Sequence, residues 1–87
     1  MKTRVAVIGI IVEDPNSVSA LNDLLHEYAP YIIGRMGIPY RAHHLNVISV
    51  AVDATDDTIS ALAGRIGSLP GISAKAAYSN AYTDNEE

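Results

Sequence analysis

The chain has no cysteine among its 87 residues, so a disulfide framework, a thiolate zinc site, iron–sulfur ligation and a cysteine nucleophile are all excluded. That usage fits a reducing cytoplasm. Charge is scarce as well: Asp, Glu, Lys and Arg make up 18% of the sequence, against about 25% in ordinary globular chains. Cations are the scarcer sign, six against ten acids for a net charge of -4, which argues against an unaided grip on nucleic acid or an anionic membrane. Membrane-length apolar runs are missing too. The run at residues 5–12 follows Lys2 and Arg4 in the manner of a short signal peptide, but Glu13-Asp14-Pro15 ends it far below the roughly 20 residues that span a bilayer. The chain reads as soluble, unprocessed and cytoplasmic.

Apolar residues make up 48% of the sequence, enough for one core, and the length allows one domain. With so little charge to solvate it, part of the surface is expected to be covered by another copy of the chain. Residues 4–12 are β-branched and apolar on both parities, as in a central strand buried on both faces. Asp14 then offers an N-cap with Pro15 at the first helical position, and Val18, Leu21, Leu24, Leu25 and Tyr28 form one helical stripe of about four turns. Ala29-Pro30 stops it. Residues 31–40 read as a strand bent by Gly34, Gly37 and Pro39, placed at a sheet edge, and residues 45–54 as its antiparallel partner. Thr55 caps a second helix, with Asp56 and Asp57 in its first turn, Ile59, Leu62, Ala63 and Ile66 on its buried stripe and Gly67 at its end. Leu69-Pro70-Gly71 turns into a last strand in which Ile72, Ala74, Ala76 and Tyr78 alternate with Ser73, Lys75 and Ala77. A single domain over residues 1–78 is thus followed by a frayed acidic tail over residues 79–87.

The order is β-α-β-β-α-β: an α+β, ferredoxin-like fold with a four-stranded antiparallel sheet and two helices on one face. If Ala6, Ile8, Ile10 and Val12 face the helices, the open face carries Val5, Val7 and Ile11 with Val47 and Ala51 beside them. An apolar open face marks an interface, here expected to make a dimer or a dimer of dimers.

Residues able to carry chemistry are few. His43 and His44 are adjacent, so in a strand they point apart, and His26 would need to converge with them; no metal site is expected from this spacing. Glu13-Asp14 and Asp56-Asp57 sit at predicted helix starts and Glu86-Glu87 in the tail, where helix capping and solvation explain them. No G-x-S-x-G elbow occurs, nor a P-loop or dinucleotide fingerprint. The glycines of Gly34-Arg35-Met36-Gly37 read as a bent edge strand, and those of Gly64-Arg65-Ile66-Gly67 as helix packing and a C-cap. Arg35 and Arg41 bracket Pro39-Tyr40, which suits either an anion or a solvated edge. No helix is left over to enter a major groove, so direct DNA binding is not expected.

The stretch Tyr31-Ile32-Ile33-Gly34-Arg35-Met36-Gly37-Ile38-Pro39-Tyr40-Arg41, residues 47–52 and then Asp57-Thr58-Ile59-Ser60-Ala61-Leu62-Ala63-Gly64-Arg65-Ile66-Gly67 resemble the iron-only hydrogenase system regulators. Leu69-Pro70-Gly71-Ile72-Ser73-Ala74-Lys75 continues the likeness. More remotely, the resemblance implies an ACT-like fold similar to the C-terminal regulatory domain of the nickel-responsive repressor, whose relatives sense small ligands or metal ions between subunits. The chain departs from both patterns: it lacks the cysteine used for nickel, and Asn16 stands where amino-acid-binding ACT domains commonly carry glycine after the D-x-P turn. The residues point to a non-enzymatic, homo-oligomeric regulatory module without cofactor, and the resemblance implies that it acts in the iron-only hydrogenase system. It would bind an effector or a protein partner of the hydrogenase system and act on transcription through a second protein. The alternative is a small enzyme or maturation accessory on the same fold. Free N–H groups at a helix start, together with the ACT resemblance, place the effector at Asp14, Asn16 and Ser17, apart from the Pro70-Gly71 turn.

Overall fold

The computed structural model describes residues 1–84. Its regular elements are β1 (Lys2–Val12), α1 (Val18–Glu27), β2 (Ile32–Tyr40), β3 (Leu45–Ala54), α2 (Asp56–Gly67), β4 (Ile72–Tyr78) and β5 (Thr83–Asp84). Single 3-10 turns lie at Pro15–Ser17, Ala29–Tyr31 and Arg41–His43. Tyr31 therefore belongs to the turn before β2 rather than to the strand, because Pro30 sits at the head of that turn and Tyr31 N–H is taken by Tyr28 O at 3.0 Å.

All strand pairs are antiparallel, in the order β2-β3-β1-β4, an arrangement compatible with the ferredoxin-like expectation. The sheet has a fifth strand inside the segment expected to be a frayed tail. β4 pairs with β1 as far as Ala6↔Tyr78, and β5 resumes the pairing at Thr3↔Thr83 and Lys2↔Asp84. Arg4 holds the interruption in place. Its Nε and Nη2 donate to Ser79 O, its Nη1 donates to Asp56 and to Tyr82 Oη, and its guanidinium lies 4.7 Å and 4.5 Å from the centres of the Tyr78 and Tyr82 rings. A polar, acidic segment is ordered here by one half-buried cation rather than by apolar burial, which is why composition alone gave no hint of it. Glu86 and Glu87 lie outside the described residues.

The core forms between the sheet and both helices. Ala6, Ile8, Ile10 and Val12 of β1 and Val50, Val52 and Ala54 of β3 pack against Leu21, Leu24 and Leu25 of α1 and Ile59, Leu62 and Ile66 of α2. Thr55 caps α2 by accepting from Thr58 N–H at 3.2 Å. The glycines of α2 do not play the packing and capping parts expected of them. A Cβ at Gly64 or Gly67 would meet nothing within 4 Å, and the helix ends at Ser68 in a right-handed conformation.

Candidate functional site

Alternation along β1 sends every second side chain away from the helices, and the pairing registers assemble those side chains into rows across the sheet. Ile38, Val47, Ile11 and Ser73 make one row. Met36, Ser49, Gly9 and Lys75 make the next, and Gly34, Ala51, Val7 and Ala77 the third, with Asp53 and Val5 beyond. The five residues expected on the open face thus lie together: Val5 and Val7 are each 42% exposed and Val47 38%, while Ile11 and Ala51 are half-buried. Tyr40, Ile38 and Met36 of β2 extend the same face and are exposed. Sequence reasoning missed them because a bulge between Ile32 and Gly34 shifts the phase of β2 against β3. The signal was their own alternation, Met36-Ile38-Tyr40, on one parity.

The relief of this face is uneven. Gly9 leaves a depression of about 340 Å³ walled by Ile11, Val47, Ser49, Ser73 and Lys75. A Cβ at Gly9 would find its nearest neighbour, Lys75 O, at 3.9 Å, so the depression has room for a side chain and holds none.

Asp14, Asn16 and Ser17 also lie together, in the connection from β1 to α1, and the loop's own hydrogen bonds already engage part of their polar groups. Asp14 Oδ1 accepts from Asn16 N–H at 2.9 Å, Asp14 O accepts from Ser17 N–H at 3.0 Å, and the buried Ser17 hydroxyl donates to Pro70 O at 2.6 Å. The Pro70-Gly71 turn is not remote from this loop, as the sequence reading had it. Glu13 N–H donates to Gly71 O at 2.7 Å, and Gly71, at φ 69°, lies so close that an added Cβ would stand 2.5 Å from Asp14 Cβ. Antiparallel pairing of Val12 with Ile72 brings the two connections to one end of the sheet, a proximity that linear order hides.

The remaining candidates are dispersed or structural. His26 is in α1, His43 in the turn before β3, and His44 takes a left-handed conformation at φ 57°. No group of three metal-ligating side chains occurs among the described residues. Arg35 donates to Asn22 Oδ1 at 3.3 Å, tying the edge strand to α1. Arg65 of α2 forks onto Glu27 of α1 at 2.7 and 3.3 Å and reaches Tyr28 Oη at 3.3 Å. Its hydrogen bond holds the Glu27 carboxyl below the usual range, and the Arg65 guanidinium is raised in turn by Glu27 and then Tyr28. Both partners are at least half exposed, so this pair orients the helices more than it stabilises them. Among the described residues no helix is long and apolar enough to cross a membrane.

The chain is similar in structure to uncharacterized protein TM1266 from Thermotoga maritima, with 28% identity, a TM-score of 0.83, and 87% of this chain and 96% of that one covered. It also resembles a formyltetrahydrofolate deformylase from Pseudomonas putida KT2440 at 16% identity and a TM-score of 0.63. That match covers 88% of this chain but only 29% of the deformylase, so it speaks to the fold alone. No curated protein matches the chain. A family model matches residues 4–76, a span that takes in both helices and all four long strands, and the chain therefore belongs to the TM1266-like family of iron-only hydrogenase system regulators.

Proposed function

We propose that the chain is a non-enzymatic regulatory module of ACT-like type in the iron-only hydrogenase system, acting on hydrogenase expression through a second protein. Membership of a family described as regulators carries this reading. The distribution of charge is in keeping with it. Arg4 and Arg65 are spent on internal contacts, Arg35 binds Asn22, and the few cations left over do not make the basic stripe that a phosphate backbone needs. An effector would meet the module at Asp14, Asn16 and Ser17, where it must compete with the Ser17 to Pro70 hydrogen bond.

The test is removal of the gene from a host with an iron-only hydrogenase, followed by measurement of hydrogenase transcripts. A change of severalfold, restored by the intact chain, is expected. Unchanged transcripts under hydrogen-producing and non-producing conditions would sink the regulatory reading. Sequence-dependent retardation of DNA by the purified protein alone at about 150 mM salt, where non-specific contacts weaken, would overturn the need for a second protein.

A further inference from the structure

We infer that the open face of the sheet is a self-complementary interface, on which a second copy of this chain packs sheet to sheet. The face is apolar over three rows apart from Ser49, Ser73 and Lys75, and its two charged residues, Asp53 and Lys75, are of opposite sign, so two copies meet without an excess of like charge. Size fits a second copy. Four strands about 4.8 Å apart and nine residues rising about 3.3 Å each give roughly 600 Å² in projection, and uneven side chains raise the accessible area toward the ~800 Å² per partner of a stable interface.

Shape decides the occupant. A two-fold interface requires each surface to carry both a projection and the recess that receives it. Ile38, Val47 and Ile11 form a ridge, and the depression at Gly9 lies in the very next row. Two sheets packed about 10 Å apart with their strands nearly aligned let the ridge of each copy enter the recess of the other. Gly9 is then a receptor for the partner's Val47 and Ile11, which accounts for a glycine in mid-strand with unfilled space beside it.

Light scattering should give a mass of two subunits, or a multiple of two, at micromolar concentration. Val7→Asp places an unpaired charge in the contact and should raise the dissociation midpoint by about a hundredfold or more. Gly9→Leu fills the recess from within and should weaken association while leaving the fold intact. A single-subunit mass for the unaltered protein overturns the inference, as does an oligomer indifferent to both variants, which would have to form through another surface. Should Val7→Asp fail to fold, the unaltered protein supplies a second reading. The Met36 methyl, on a residue 64% exposed in the single chain, should be shielded from a soluble paramagnetic agent, and full accessibility would refute the pairing. Hydrogenase expression plays no part in either measurement, so the interface and the regulatory role stand or fall separately.

Discussion

Gly71 and Gly64 are the same residue in opposite situations. Gly71 sits at φ 69° with Asp14 against it, so Gly71→Ala meets both a disfavoured backbone and a 2.5 Å contact, and should cost roughly 1–3 kcal/mol in chemical denaturation. Gly64 lies inside α2 with open space where a Cβ would go, so Gly64→Ala should stabilise the fold by about 0.5–1 kcal/mol. Equal effects of the two substitutions would contradict this account. Neither fate was legible from the chain, where both glycines look like helix or turn punctuation. Only the approach of the β1–α1 connection distinguishes Gly71, and that contact joins residues more than fifty positions apart. His44 is a similar case, a left-handed residue that the sequence showed only as one of a polar pair.

At the scale of elements, the periodicities were sound guides wherever burial enforces them. The stripes of α1 and α2 and the two parities of β1 and β3 emerge on the faces that the sequence predicts, because a slip of one residue would expose a whole row. β5 was invisible for the converse reason: two polar residues carry no period, and their strand exists because Arg4 and Tyr82 anchor it. Tyr82 donates to Asp56 Oδ2 at 2.9 Å, and this bond raises the phenol above its ordinary value of 10.0. A raised folded value means that the folded chain holds the proton more firmly than the unfolded one. The contribution is complete below pH 10 and is lost as the pH climbs through the folded value. Thermal midpoints of the unaltered chain and of Tyr82→Phe should therefore differ at pH 8 and converge above pH 10. A gap that persists at high pH would show that the phenol proton is not what holds the strand.

For the molecule as a whole, the two connections at one end of the sheet act as a single unit. Ser17 and Glu13 of the first hold the carbonyls of Pro70 and Gly71 in the second, so anything that binds at Asp14, Asn16 and Ser17 disturbs the start of β4 as well. Amide hydrogen exchange during an effector titration should change at residues 69–72 together with residues 13–18. A change confined to the first loop would show that the two are not coupled. β2, at the other side of the molecule, has a different consequence. Its free edge is broken by the bulge after Ile32 and by Pro39, which has no N–H to offer an incoming strand. Chain-to-chain growth along the hydrogen-bonding direction needs two usable edges on every copy, and this sheet has only the one along β4. Edge pairing can then join two molecules and no more, and any longer assembly has to use the open face as well.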